Sequence, residues 1–389
     1  MTGVGEAPAV AMTAGARPAP RTAGGGAARP ARIRVGIVGG GFMARVHAAA
    51  ARAAGAEVVA LASSAPASAA RAAASLGVAT AHASVDDLVR DPAVDVVHVC
   101  SPNSSHAPVA LAALAAGKHV VCEKPLTTTS EEGEALVAAA AAAGVVAAVP
   151  FVYRYHPMVR EARARIAAGT TGRVLSVRGS YLQDWLLDSD DVDWRVDRAA
   201  GGPSRAFADI GSHLVDLLEF VLGDAGHLVR LSSTTTTVHH RRGGRAVDTE
   251  DEAAVVFETA GGAIGTLFVS QVSPGRKNRL LIDVAGAAES LEFSQEEPET
   301  LWVGRRRGTE VLVRDAATLS PDAARLSTVP AGHPLGYVDA FAAFVRDVYD
   351  AVEGGSPEGL PTFADGLRAV HVTEAVLAAS AGRRWVDVP

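Results

Sequence analysis

The sequence predicts an α/β protein: a doubly wound parallel sheet in the first half, followed by an α+β half. Three observations carry that prediction. From residue 32 to residue 150, short apolar strands alternate with Ala-rich helical stretches, the rhythm of a parallel sheet covered on both faces. Gly39-Gly40-Gly41 closes the first strand. After Pro150 the alternation stops and strand-like runs follow one another directly, as in an antiparallel or mixed sheet.

Residues 33–38 are rich in β-branched side chains, which suit extended backbone. The Ala-rich stretch 42–54 reads as a helix. A strand at 58–62 and a helix at 66–76 repeat the unit, followed by a strand at 94–100, a helix at 107–116 and a strand at 119–122. A helix at 130–143 and a strand at 145–149 complete the first half. In the second half, helices are expected at 158–168 and 209–222, and a strand at 174–183. Strand-like runs follow at 229–238, 253–258, 264–270, 279–285, 290–293, 300–303 and 310–313, and helices at 336–352 and 365–379 close the chain. Residues 1–31 are Ala, Gly and Pro with scattered Arg and neither period, so they read as a disordered leader. Their apolar stretch at 9–12 is too short for a signal peptide, and Arg17, Arg21 and Arg29 follow it. The expected divisions are therefore 1–31, 32–150 and 151–389.

At ~150 residues per domain, 389 residues make two or three domains. With 48% hydrophobic and 20% charged residues, the chain can bury a sizeable core. Its formal net charge of −7 argues against a nucleic-acid binder, which needs a basic surface. The two cysteines, Cys100 and Cys122, make no disulfide scaffold and suit a reducing cytoplasm. No uninterrupted apolar run reaches the ~20 residues of a membrane span, so no membrane partner is expected.

Gly39-Gly40-Gly41-Phe42-Met43-Ala44 fits G-x-G-x-x-A between a strand and a helix. The first Gly allows a tight turn, the second a close backbone approach to a pyrophosphate, and Ala44 a close helix–strand contact. The helix N-terminus then offers free N–H groups to the phosphates. A dinucleotide is expected. The second strand ends in Ser63-Ser64 where an acidic residue would bind the ribose hydroxyls, and Arg71 lies one or two helical turns further on. NAD and NADP therefore both remain open.

Cys122-Glu123-Lys124-Pro125 ends a strand, where open α/β sheets bind ligands. Lys124 reads as a group for a substrate oxygen or as a solvated loop lysine. Asp209-Ile210-Gly211-Ser212-His213 places Asp209 and His213 at i, i+4 on one helical face. There an imidazole can take a hydroxyl proton while a carboxylate orients it, or the pair is a structural hydrogen bond. With Ser101-Pro102-Asn103 and His106, Tyr153-Arg154-Tyr155-His156-Pro157, and Pro361-Thr362-Phe363-Ala364-Asp365-Gly366, these motifs resemble the glucose–fructose oxidoreductase/inositol dehydrogenase (Gfo/Idh/MocA) family. The resemblance runs from Arg32 to the C-terminus.

The resemblance implies a Rossmann domain, a C-terminal domain with a large open, mainly antiparallel sheet, and a homodimer or homotetramer. It implies Lys124, Asp209 and His213 as the catalytic residues: Lys124 stabilising the developing alkoxide, His213 the general base, Asp209 holding its ring. Cofactor contacts are expected from Gly39, Gly41, Phe42, Met43 and Ala44 in the loop and from Ser63 and Ser64. Ser101, Pro102, Asn103, His106, Glu123 and Lys124 add to them, as do Arg154, Trp194 and Arg195 from the second half. Substrate contacts are expected from Lys124, Tyr153, Gln183, Trp185, Asp209, His213 and Tyr337, with no metal ligand.

Tyr181-Leu182-Gln183-Asp184-Trp185 sets an aromatic beside amide and carboxylate groups, which suits a sugar. The string is similar to that of sugar-oxidising members of the family. Trp185 and Trp194 as plain core residues are the alternative. Residues 271–278 read as a hairpin cap ahead of a substrate contact, and His333 as a ligand contact or a helix entry. The expected activity is NAD(P)-dependent oxidation of a secondary alcohol of a sugar, cyclitol or glycoside. The alternatives are glycoside cleavage by transient oxidation and elimination, with NAD recycled, and a non-catalytic nucleotide sensor.

Overall fold

The computed structural model describes residues 32–389, and the expectation for the leader at 1–31 lies outside them. In the first lobe, β1 (Arg34–Val38), β2 (Glu57–Ala62), β3 (Thr80–Ala81), β4 (Val96–Val99), β5 (His119–Cys122) and β6 (Ala147–Ala148) form one sheet. The strands all pair in parallel in the order β3-β2-β1-β4-β5-β6. The connecting helices are α1 (Phe42–Ala53), α2 (Pro66–Leu76), α3 (Val85–Arg90), α4 (His106–Ala115) and α5 (Ser130–Ala143). Strand order reverses between β1 and β4, which opens the crevice where doubly wound sheets take their ligands.

The second lobe starts with α6 (Pro157–Ala167), β7 (Val174–Leu182), α7 (Arg198–Gly201) and α8 (Ser212–Leu222). Next come β8 (Leu228–Thr236), the small hairpin β9 (Arg241–Arg242) and β10 (Arg245–Ala246), β11 (Glu252–Thr259) and β12 (Ile264–Ser270). The lobe continues with β13 (Arg279–Gly286), β14 (Ser290–Ser294), β15 (Thr300–Arg305), β16 (Gly308–Val313) and α9 (Pro321–Leu326). α10 (Tyr337–Val352), α11 (Phe363–Gly382) and β17 (Val386–Asp387) end the chain. Nine strands form the large sheet, in the order β16-β15-β14-β13-β7-β12-β11-β8-β17. Only β7 and β12 pair in parallel, so the sheet is mainly antiparallel, as expected.

One face of that sheet is core and the other is open. In β12, Leu267 and Val269 are buried while Ile264 and Phe268 are exposed, the period of two that a half-covered strand imposes. Leu214, Leu217, Leu218 and Val221 of α8 press onto the buried face. The last two helices return to the first lobe. Phe341, Phe344, Val345 and Val348 of α10 share a core with Val35, Ile37, Ala44 and Ala48. Phe363 and Ala369 of α11 join the core around β4 and β5, and Val372 and Val376 join that of the large sheet.

Several elements were not foreseen. β3, β17 and the β9–β10 hairpin are two-residue strands, too short to show a period. α3 had a local signal: Ser84 caps it by accepting from the Asp87 backbone N–H at 3.1 Å, an S-x-x-D arrangement. The helix expected at 209–222 begins as a π-helical turn, Phe207–Gly211, before α8 proper.

Candidate active site

The glycine loop shapes the crevice. Gly39 has φ +123°, and a Cβ there would stand 2.5 Å from the Cys100 carbonyl oxygen, so only glycine fits. A Cβ on Gly41 would meet nothing within 4 Å; the space above the start of α1 is open. That helix has no capping side chain and no acid in its first turn, leaving its N–H groups for an anion. The crevice holds about 610 Å³. Its walls include Gly39, Gly41, Phe42, Met43, Ser63, Ser64, Ser101, Pro102, Asn103, His106, Glu123, Lys124, Trp194 and Arg195, all expected there. Ala44 lies fully buried beneath the loop. An open, uncapped phosphate cradle in a crevice of this size fits a dinucleotide.

Arg154 is elsewhere, a correction to the expectation. It sits in a short 3-10 turn, Val152–Tyr155, and is 6% exposed. Its guanidinium binds Asp216 of α8 and, at 2.7 Å, Asp365 of α11, on the wall of a separate cavity. Two carboxylates, from α8 and α11, capture the charge, so Arg154 ties those two helices together.

Lys124 follows β5, and its Nζ crosses to the second lobe. It donates to Asp209 Oδ1 at 2.6 Å and to the Asp209 carbonyl at 2.8 Å. The π-helical turn presents Asp209, and Glu250 holds that turn by accepting from the backbone N–H of Arg205 and Phe207 at 2.9 and 3.0 Å. Gly211 lets it close, since a Cβ there would stand 2.8 Å from the Phe207 ring. The His106 ring stands between the carbonyls of Ser101 and Pro125, 2.9 and 2.8 Å from its two nitrogens, and its single N–H donates to one of them.

Asp209 does not hold the His213 ring, a second correction. Its other oxygen accepts from Gln271 Nε2 at 2.8 Å, and Arg195 Nε is 3.5 Å from Oδ1. The carboxylate is occupied by donors from three other elements. Burial alone would raise its pKa, but the Lys124 charge, then Arg195, outweigh burial and hold it well below the ordinary carboxylate range. His213 lies one turn on, in an aromatic box: Tyr153 at 5.1 Å, Phe151 at 5.7 Å and Tyr181 at 6.5 Å between ring centroids. Its Nδ1 is sealed without a partner. Burial, then the Lys124 ammonium, lower its pKa to about 3, so the ring is neutral.

A polar string leads away from this box. The Tyr153 and Tyr181 hydroxyls are 2.5 Å apart, and Tyr181 donates to Asn278 Oδ1 at 2.8 Å. Gln183 Nε2 donates to the same oxygen at 2.8 Å, and Trp185 Nε1 donates to Gln183 Oε1 at 2.8 Å. Trp185 also packs against Leu186, Val196 and Val247, so its ring is partly core. Tyr337 opens α10 with its ring against Phe341, at 5.8 Å. Gln271 and Asn278 were underrated as hairpin-cap residues. They reach the site because β12 ends at Ser270 beside Leu182 and β13 begins at Arg279 opposite it. The alternation of Tyr181 and Gln183 on one face of a strand was the signal that a polar neighbour would be needed there.

Known proteins are similar to this chain. Residues 33–151 match the profile of an oxidoreductase family with an NAD-binding Rossmann fold, and residues 159–292 the GFO/IDH/MocA C-terminal domain. Levoglucosan dehydrogenase from Pseudarthrobacter phenanthrenivorans is 33% identical, over 92% of this chain and 98% of that protein. The solved structure of a levoglucosan dehydrogenase complex with NADH and levoglucosan superposes with a TM-score of 0.85 at 32% identity, covering 92% of this chain and 99% of the other. An inositol dehydrogenase homolog from Azotobacter vinelandii, complexed with NAD+, gives a TM-score of 0.84 at 29% identity, covering 92% and 97%. With both domain profiles in order on one chain, the protein belongs to the Gfo/Idh/MocA family of NAD-binding oxidoreductases.

Proposed function

We propose that the protein oxidises a secondary alcohol of a polyhydroxylated ring, a sugar, cyclitol or glycoside, with Lys124 and His213 at the reacting carbinol. One observation carries the reading: the Lys124 ammonium reaches across the lobes to Asp209, one helical turn before a neutral, buried imidazole. When bound, the nicotinamide supplies the hydride acceptor. Everything else is done by the chain. An ammonium has three N–H groups; Asp209 takes two, and the third is free for the substrate oxygen. A positive charge at that oxygen favours alkoxide character, most of all where water is excluded. Tyr153, Phe151 and Tyr181 exclude water around His213. With Nδ1 sealed, Nε2 is the nitrogen left to take the hydroxyl proton. Gln183, Asn278 and the two tyrosine hydroxyls offer paired donors and acceptors for neighbouring hydroxyls, and Trp185 an apolar face for C–H groups.

The relatives support the substrate class, being a levoglucosan dehydrogenase and an inositol dehydrogenase homolog. The test is a panel of anhydrosugars, free sugars, inositols and glycosides assayed with NAD+ and NADP+. Reduced nicotinamide is followed at its absorbance band and leaving-group release is followed in parallel. Accumulation of reduced nicotinamide is the expected result. Aglycone release without it would replace this reading by redox-neutral glycoside cleavage. Nucleotide binding with no turnover on any arm would replace it by sensing.

A further inference from the structure

Four buried polar groups form a string behind Lys124. Glu123 Oε1 is 2.9 Å from His47 Nε2, and His47 Nδ1 is 2.9 Å from His98 Nδ1. His98 Nε2 is 3.2 Å from the Tyr349 hydroxyl. The four come from the loop after β5, from α1, from β4 and from α10. Both imidazoles are fully buried, and Glu123 and Tyr349 nearly so. Two histidines facing each other through like nitrogens in a dry core are costly unless their protons are ordered.

The order follows from one end. An ionised carboxylate only accepts, so His47 Nε2–H donates to Glu123. A neutral imidazole has one donor and one acceptor. Where His47 is the neutral ring, its Nδ1 accepts, His98 Nδ1–H donates, His98 Nε2 accepts and the Tyr349 O–H donates. Burial above all keeps His98 neutral. In that order the string carries a single charge, at Glu123. Burial alone would raise the Glu123 pKa, but the hydrogen bond from His47 and the cations nearby outweigh it. Its other oxygen accepts from the Lys124 backbone N–H at 3.2 Å.

We infer that Tyr349, His98 and His47 are positioning residues that hold Glu123 as an oriented carboxylate in the wall of the cofactor crevice, beside Lys124. The inference rests on the proposed role of Lys124. The titratable groups around Glu123 are His47, Lys124, Arg195, His213, His106, Tyr337 and the thiols of Cys100 and Cys122. A fixed anion there adds to Asp209 in balancing the charges of Lys124 and Arg195.

Two measurements on the full-length protein test this. In 15N NMR of histidine-labelled protein at pH 8, His47 is expected as the Nε2–H tautomer and His98 as Nδ1–H. An opposite tautomer or a charged ring overturns the string. His47→Ala removes the donor to Glu123. Burial is then less opposed, and the Glu123 pKa rises. The variant's kcat/KM is expected to fall severalfold between pH 8 and pH 6, with a flat wild-type profile and partial restoration in His47→Gln. A wild-type profile in His47→Ala refutes the positioning role. Tyr349→Phe keeps the ring packing and strips the donor from His98 Nε2, whose resonance is expected to move; an unchanged resonance overturns the proton order. The tautomers are read without turnover, so failure of the Lys124 role and failure of the string are distinguishable.

Discussion

Lys124→Ala tests the proposed chemistry most directly. In the folded protein the ammonium spends two N–H groups on Asp209, at 2.6 and 2.8 Å, and keeps one for a ligand. An alkoxide at ordinary hydrogen-bond distance, about 3 Å, interacts with it by about 5 kcal/mol at an effective dielectric near 20. The Asp209 carboxylate offsets part of that. Losing one such preorganised donor costs about 3–4 kcal/mol, a 10²–10³-fold fall in kcat. The fold should survive, because Asp209 keeps Gln271 at 2.8 Å and Arg195 at 3.5 Å as partners. The assay is initial-rate formation of reduced nicotinamide with whichever alcohol the panel identifies, alongside fluorescence titration of NADH and a thermal melt. Expected are a kcat lowered at least a hundredfold, an NADH affinity within about threefold of wild type and a melt shifted by a few degrees. A kcat within threefold of wild type, in a folded variant that binds NADH, would refute the assignment of Lys124.

The other predictions draw on different parts of the molecule. His213 and His156 are held near 3 and 4, below their ordinary 6.5, so the unfolded chain takes up protons that the folded chain refuses. Their contribution to stability is full above pH 6.5 and is lost as pH falls toward 4 and 3. At pH 5 the loss is about 2 kcal/mol per ring. Urea midpoints at pH 8 and pH 5 should show this, with His213→Gln showing about half the drop; an equal drop in wild type and variant would contradict it. Gly41→Val places a side chain in open space, so the melt should hold while NADH binding weakens at least tenfold; unchanged binding would mean the phosphates lie elsewhere. Arg154→Ala strands Asp216 and should cost about 3–5 kcal/mol of stability with little effect on nucleotide affinity in the folded protein, the reverse of a cofactor contact. At the adenosine end Ser63 brings no carboxylate and Arg71 makes no ion pair among the described residues, so NADPH should bind within about tenfold of NADH. Discrimination beyond a hundredfold would show that another group excludes the 2′-phosphate.

Local chemistry was readable in the sequence, and long-range assembly was not. The phosphate loop, the Lys124 loop and the Asp209–His213 run are short segments whose residue types and spacing stand out within one window of the sequence. All three line or adjoin one crevice. The orientation of Asp209 was misjudged because i, i+4 spacing assumes an α-helix, and the π-helical turn changes which neighbours a side chain meets. Gln271 and Asn278 come into play only through pairing of β7 with β12 and β13, a contact across about a hundred residues that no local window contains. Arg154 stands beside Tyr153 in sequence, yet the short turn sends Arg154 to the wall of a cavity and Tyr153 into the aromatic box around His213. His47 and His98 were passed over because each sits singly in an apolar helix or strand, where nothing announces a partner.

The return of α10 and α11 to the first lobe has a bearing on how such genes can be recombined. A fragment stopped near Pro150 would bare the seat of Phe341 and Phe344 on Val35, Ile37 and Ala48, and lose Tyr349 from beside His98. Such a fragment is not a free-standing part. The middle stretch from α6 to α9 is not free-standing either, because Val372 and Val376 of α11 complete the core of its sheet and β17 pairs with β8. A replacement sheet must therefore fit the α11 face and the β17 edge that it inherits.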